Sequence, residues 1–178
     1  AMKPRWRVRV IGVAFAAAGL ATGGAQADFW ESTAGPYGGY VRRLLVLSPD
    51  TLVAGTYFGG VYRSADGGAS WAPSSDGLSD LHVFALLEAP GGALYAGTYG
   101  GGVCRSADRG AHWVPVNAGL TRLQVWSLAA THADTIFAGT YQGGVFRSVD
   151  AGASWTNTSN GLGSASALDV RSLVVHPS

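Results

Sequence analysis

The 178-residue chain is 13% charged and 47% hydrophobic, and it holds 27 glycines against a single lysine. Low charge with many apolar residues excludes a disordered chain, and plentiful Gly, Thr, Tyr, Trp and Val favour short strands and tight turns over long helices. The formal net charge is +1, yet all 11 acidic residues lie after position 27 while Lys3, Arg5, Arg7 and Arg9 lie before it; residues 28–178 thus carry eight arginines against eleven acids, a net −3 that excludes a nucleic-acid partner.

The N-terminus reads as a processing signal. Lys3, Arg5, Arg7 and Arg9 form a basic region, an apolar run follows from Ile11 to Leu20, and Ala25-Gln26-Ala27 has the small-x-small form of a cleavage site. A Sec-type signal peptide is expected over 1–27, cut after Ala27, which places the remainder in the periplasm or outside the cell. The apolar run is shorter than the roughly 20 residues that span a bilayer. No second long apolar run follows, so no transmembrane segment is expected after cleavage.

From residue 28 onward the chain repeats. Ser64-Ala65-Asp66-Gly67-Gly68-Ala69-Ser70-Trp71 returns as Ser106-Ala107-Asp108-Arg109-Gly110-Ala111-His112-Trp113 and as Ser148-Val149-Asp150-Ala151-Gly152-Ala153-Ser154-Trp155, at a spacing of 42 residues. Trp30 stands 11 residues before Val41, much as Trp71 and Trp113 stand 12 before Val83 and Val125. Trp30 is therefore expected in the last strand of an otherwise absent repeat. In the first whole repeat, Val41–Leu47 reads as strand a and Leu52–Tyr57 as strand b. Val61–Ser64 reads as strand c, and strand d begins near Trp71. Asp76-Gly77-Leu78 closes the unit with a turn signal. Repeats two and three copy this pattern, giving units of about 41–78, 83–120 and 125–162. Residues 169–178 open with what reads as strand a of a fourth.

Four short strands in about 40 residues is the signature of a propeller blade, which buries its faces only by stacking on neighbours. The expectation is an all-β fold of three full blades with partial blades at both ends. Closed propellers take about four to eight blades. The ring is then completed by further blades of a longer chain, by pairing of the terminal strands, or by a second copy.

The pattern Ser-x-Asp-x-Gly-x-x-Trp resembles the Asp-box, or BNR, repeat, and the resemblance covers residues 28–178. It implies a propeller related to sialidases, xyloglucan-degrading glycoside hydrolases, sortilin-type receptors and a photosystem II assembly factor. It also implies that the box sits on the outer c–d hairpin, away from the ligand face. The residues themselves agree with a structural role. Asp66, Asp108 and Asp150 can accept backbone N–H bonds in a tight turn, Ser64, Ser106 and Ser148 can bond locally, and Gly68, Gly110 and Gly152 permit the turn. Trp71, Trp113 and Trp155 supply an apolar face between blades. Three equivalent carboxylates around a ring do not make one catalytic site, and a single acid per turn does not make a calcium loop.

Candidate ligand contacts fall where the repeats differ. The second residue of strand a is Arg42, Phe84, Trp126 and then Arg171. The d–a connections add Asp80, His82, Arg122, Gln124 and Asp169. Tyr57, Tyr99 and Tyr141 in the b–c turns either stack on a ligand or belong to a repeated Thr-Tyr-x-Gly-Gly packing unit. Arg63, Arg105 and Arg147 repeat one residue before the box and are expected to serve the hairpin. Cys104, alone, is expected as a buried thiol. His82, His112, His132 and His176 lack metal-ligand spacing, so neither metal nor cofactor is expected.

Two carboxylates facing one groove would be needed for glycoside hydrolysis. Only Asp80 and Asp169 are expected on the ligand face, two repeats apart. The Phe-Arg-Ile-Pro-type motif of sialidases is absent. The favoured function is an exported, non-catalytic module that binds a protein or a glycan. The alternatives are a portion of a sialidase-like or xyloglucanase-like hydrolase, and an assembly factor resembling the photosystem II one.

Overall fold

The computed structural model describes residues 35–36, 39–163 and 168–175. The signal peptide expected over 1–27, Trp30 and residues 176–178 of the expected fourth repeat lie outside the described residues. Twelve strands occur among them, with no helix. The first blade comprises β1 (Val41–Val46), β2 (Leu52–Thr56), β3 (Val61–Ser64) and β4 (Ala72–Pro73). The second comprises β5 (Val83–Glu88), β6 (Leu94–Thr98), β7 (Val103–Ser106) and β8 (Val114–Pro115). The third comprises β9 (Val125–Ala130), β10 (Ile136–Thr140), β11 (Gly144–Ser148) and β12 (Thr156–Asn157). Each set forms one antiparallel four-stranded sheet in chain order, the meander of a propeller blade.

Strand b stops one residue short of the sequence expectation in every blade, and strand a does so in the first blade, because the next amide is taken by a turn; in blades two and three strand a runs one residue further, to Glu88 and Ala130. Leu47 N donates to Thr51 O, and Tyr57 N donates to Tyr40 O, both at 2.9 Å. Strand d is only two residues long and starts after the tryptophan, since Trp113 N and Trp155 N donate to Asp76 O and Ala118 O of the preceding blade. Strand d is also the outer edge of each sheet, where Pro73 and Pro115 cost no ladder bond.

Blades are held together by three repeated contacts. The first is a close approach at the strand b glycine. A Cβ on Gly55 would stand 2.7 Å from Val83 Cγ1, one on Gly97 2.7 Å from Val125 Cγ1, and one on Gly139 2.6 Å from Val170 Cγ1. Only glycine lets the next strand a lie this close. The second is the box tryptophan. Trp113 and Trp155 are buried, and their Nε1 atoms donate to Ser74 O (2.8 Å) and Val116 O (2.7 Å) across the blade boundary. Burying a ring of this size contributes on the order of 3–5 kcal/mol by truncation. Trp71 Nε1 is buried too, with no acceptor among the described residues. The third is the closing turn. Gly77 and Gly119 have φ of 78° and 82°, and a Cβ there would stand 2.0 Å and 2.3 Å from the carbonyl oxygens of Trp113 and Trp155.

Two buried clusters lie between the sheets. One joins Val53, Val61, Val83, Leu86, Leu94 and Trp113; the other joins Tyr95, Val103, Leu120, Val125, Phe146 and Trp155. The arc is unevenly covered: Val83 and Leu86 are 0% and 7% exposed, whereas their counterparts Val41 and Leu44 are 43% and 39% exposed. Residues 168–175 occupy the place expected for a fourth strand a. Val170 seats against Gly139, its carbonyl accepts from Ser127 Oγ (3.0 Å), and its amide donates to Thr140 O (3.1 Å). They form no strand, because no strand b pairs with them among the described residues.

The closing-turn glycines give a graded test. Gly161 has φ of 89° but no atom within 4 Å of an added Cβ. Gly161→Ala is expected to lose about 1 kcal/mol from backbone strain alone. Gly77→Ala and Gly119→Ala are expected to lose roughly 1–3 kcal/mol more, because a backbone oxygen must also move. Urea midpoints of the three variants would rank them; equal shifts would contradict the contact.

Candidate functional site

Strand a carries a register shift at its second residue in every blade. Val41 pairs with Thr56 and Arg43 with Gly55, leaving Arg42 unpaired. Val83 pairs with Thr98 and Ala85 with Gly97, leaving out Phe84. Val125 pairs with Thr140 and Ser127 with Gly139, leaving out Trp126. A β-bulge re-aims the side chain of its extra residue. Because adjacent strands a lie side by side, the three bulges point their side chains into one place.

That place is a pocket of about 290 Å³ lined by Arg42, Arg43, Phe84, Trp126 and Arg171. The structure thus brings together all four of the variable strand a residues. The guanidinium of Arg42 lies 5.1 Å from the Tyr57 ring centre and 5.2 Å from that of Phe84. Phe84 and Trp126 lie 6.3 Å apart and within 23° of parallel. Arg171 lies 4.6 Å over the Trp126 ring, and the Tyr141 ring centre lies 4.9 Å from that of Trp126. Trp126 Nε1 is buried without a hydrogen-bond partner among the described residues. The aromatic surface continues through Tyr57, Phe58, His82 and Tyr99, whose ring centres lie 4.4–6.3 Å from their neighbours. Phe58 and Tyr99 are 57% and 45% exposed.

The Thr-Tyr-x-Gly-Gly unit divides its labour. Thr56, Thr98 and Thr140 are buried and close the b–c turn by donating to Gly60 O, Gly102 O and Gly144 O at 2.9–3.0 Å. The tyrosines beside them face the aromatic stripe. Sequence reasoning missed Arg43 and Phe58. Strand alternation sets residues 42 and 43 on opposite faces, and only the bulge cancels it. Phe58 falls at the variable position of its turn, as do Gly100 and Gln142.

The two face-side acids are engaged with backbone. Asp80 accepts from Gly100 N (2.6 Å), His82 N (3.0 Å) and the His82 ring (2.7 Å). Partial burial raises its pKa, but these hydrogen bonds outweigh that effect and the net shift is downward. Asp169 accepts from Gln142 N (3.1 Å) and lies 3.9 Å from Arg171. Gln124 O accepts Tyr141 N, and Arg122 packs beside Gly143.

The boxes form the c–d hairpins at the far end of the blades. Ser64 Oγ donates to Asp66 Oδ1 (2.8 Å) and accepts from Gly68 N (2.8 Å); Asp66 also accepts from Ser70 N and Ser70 Oγ. Blades two and three repeat this through Ser106, Asp108 and Gly110, and through Ser148, Asp150 and Gly152. The hydrogen bonds from Ser70 and Ser154, then those from Ser64 and Ser148, lower the pKa values of Asp66 and Asp150 to about 2. Asp108 is pushed lower still by the His112 amide and ring, and His112 is raised in return. The His112 ring also reaches Asp76 of the preceding blade at 3.5 Å. The neighbouring arginines serve the blade differently: Arg105 Nε donates to Tyr95 OH (3.3 Å), and Arg147 lies 5.9 Å over Phe137. Cys104 is buried, with Ser79 Oγ at 3.2 Å. No cluster of metal-ligating residues occurs among the described residues.

No protein-family model matches the chain, and no curated protein matches it. Solved structures do. An ancestral GH74 enzyme superposes with a TM-score of 0.56 at 19% identity, over 70% of this chain and 19% of that one. The GH74 xyloglucanase from Xanthomonas campestris gives 0.51 at 24% identity, over 67% and 23%. YCF48 bound to a D1 peptide gives 0.47 at 18% identity, over 67% and 39%. The likeness is one of fold: the chain is an arc of β-propeller blades that spans about a fifth of the GH74 chains it matches.

Acid titration tests the hairpins. The box aspartates have folded pKa values below the ordinary carboxylate value of about 3.9. Their contribution is therefore complete above about pH 4 and is lost as pH falls through about 2. Asp66→Asn and Asp150→Asn are expected to lower Tm at pH 7, with the difference from the parent shrinking toward pH 2. A deficit independent of pH would separate the hairpin's stability from carboxylate ionisation.

Proposed function

We propose that this chain is an exported Asp-box propeller module that binds a ligand or partner at the bulged mouth of strands a, without catalysis of its own. The observation that carries it is the pocket itself. Its five lining residues come from three blades and residue 171, and they offer cations and aromatic faces but no carboxylate. Asp80 and Asp169, the acids of the same face, are held by turn amides and by His82 or Arg171. A hydrolase acting on this face would need an acid and a base of separate environments. The leader over 1–27 supports release into the periplasm or the medium. The photosystem-type assembly role draws no separate support from the pocket.

A second reading is favoured by the superposition on GH74 propellers. Under it, the chain is a portion of a larger hydrolase and its arc supplies glycan-binding blades while the carboxylates stand elsewhere. Fold alone does not decide between the two.

Three measurements check this. Edman sequencing of the secreted protein is expected to begin at Asp28. Incubation with a xyloglucan oligosaccharide and with an aryl sialoside is expected to release no product; turnover of either would replace the binding reading with hydrolysis. On a glycan array, Arg42→Gln combined with Trp126→Leu is expected to lose the parent's signals, and retention of all of them would move the ligand face elsewhere.

A further inference from the structure

We infer that the pocket recognises a polyuronate, a glycan in which successive pyranose rings each carry a carboxylate. This rests on the reading of the bulged mouth as the ligand face, and it adds the chemistry of the ligand.

The charge comes first. Arg42, Arg43 and Arg171 line one small pocket, and the nearest paired acid among the described residues is Asp169, 3.9 Å from Arg171. Neither Arg42 nor Arg43 has an ion pair among the described residues. Three guanidiniums gathered within residues 28–178, a stretch of net charge −3, mark this mouth as the place for an anion. A guanidinium presents a planar fork that matches a carboxylate.

The rings set the shape. Phe84 and Trp126 are near-parallel with ring centres 6.3 Å apart, and the guanidiniums of Arg42 and Arg171 lie over Phe84 and Trp126 respectively, so the floor of the pocket is aromatic surface set among cations. A pyranose lays its C–H face on such a surface while its polar edge reaches the rim. A neutral glycan would use the floor and leave the guanidiniums unmatched. A small inorganic ion would use the guanidiniums and leave the floor bare. A cation over each ring of a two-ring floor suits charges on successive sugar units. The pocket lies at the lower end of the roughly 300–1,000 Å³ range of ligand sites, room for a short stretch of glycan. Tyr57, Phe58 and Tyr99 extend the aromatic surface for a chain that runs past it.

The b–c turns argue against an extended acidic peptide that pairs with them. Peptides that add to a sheet depend on free main-chain groups. In the second blade's b–c turn, Tyr99 N, Gly100 N, Gly101 N and Gly102 N donate to His82 O, Asp80 Oδ2, Thr98 Oγ1 and Leu123 O. In the first, Tyr57 N, Gly59 N and Gly60 N are likewise taken. At these turns recognition is left to rings and guanidiniums.

Calorimetry of the full chain tests this with trigalacturonate and hexagalacturonate, cellohexaose as the neutral glycan and hexaglutamate as the acidic peptide. The galacturonates are expected to bind at least about tenfold more tightly than either comparator, with affinity falling as salt rises. Arg42→Gln and Arg171→Gln are each expected to weaken galacturonate binding by about tenfold or more, at unchanged Tm. Trp126→Leu is expected to weaken galacturonate and cellohexaose alike. Cellohexaose binding as tightly as hexagalacturonate, yet lost in Trp126→Leu, would overturn the charged ligand and keep the face. Hexaglutamate binding equally well would overturn the sugar. Binding of none of the probes, or binding that all three substitutions leave unchanged, would overturn the face and the ligand together.

Discussion

Each blade sits on the last through a contact that only a missing side chain allows. Gly55, Gly97 and Gly139 stand in the middle of the fold between buried neighbours, and a methyl group on any of them would collide with a valine of the next unit: Val83 and Val125, which open strands a, and Val170. A glycine inside a strand ordinarily weakens it. Here it sets the distance between sheets. The box tryptophans and closing turns then find their partners: Trp113 and Trp155 reach back to the carbonyls of residues 74 and 116, and Gly77 and Gly119 accept the tryptophan backbone against them. Were the strands held further apart, those hydrogen bonds would open and leave buried donors unpaired.

The same valine fixes the site. It is the residue before the bulge, so the contact that spaces the blades also places the bulged residue immediately beside the boundary. With Val83 seated on Gly55 and Val125 on Gly97, Phe84 and Trp126 become neighbours across a boundary that separates them by 42 residues of sequence. Val170 on Gly139 brings Arg171 over Trp126 in the same way, although residues 168–175 form no ladder. Assembly and site are therefore one geometry, and the pocket depends on stacking rather than on any single blade.

How much of this could be read beforehand follows from what repeats. The box, the Ala-Gly-Thr of strand b and the closing Gly-Leu recur at a fixed interval, and a fixed interval of 42 residues with four strand-like runs leaves little besides a blade. Strand bounds were less legible, because Tyr57 and Trp113 look like strand residues and are drawn off by Tyr40 and Asp76, carbonyls that no local pattern announces. The pocket was half legible. Comparing repeats column by column isolates Arg42, Phe84, Trp126 and Arg171 as the residues that differ, and the structure puts them together. Arg43 escaped because period-two alternation assigns it to the other face, and a bulge is a backbone event with no residue type of its own at this position. Phe58 escaped because the corresponding turns hold Gly100 and Gln142, so nothing in the pattern marks an aromatic there.

Repetition also separates the groups that are spent from those that remain available. The recurring polar residues close upon themselves: Ser64, Ser106 and Ser148 each pair with their own aspartate, and Thr56, Thr98 and Thr140 each close their own turn. A group with a partner in every copy of the unit has its hydrogen-bonding capacity used before any ligand arrives. Among the residues that change from blade to blade, Asp80 and Asp169 are held by turn amides, whereas Arg42 and Arg43 have no ion-pair partner among the described residues. Arg42 and Arg171 rest on ring faces, an interaction worth about 0.5–1 kcal/mol at exposed sites and weaker than a carboxylate would offer. Their ring contacts leave the guanidinium N–H donors of Arg42 free among the described residues, and Arg171 has only the 3.9 Å approach of Asp169 beside its ring contact.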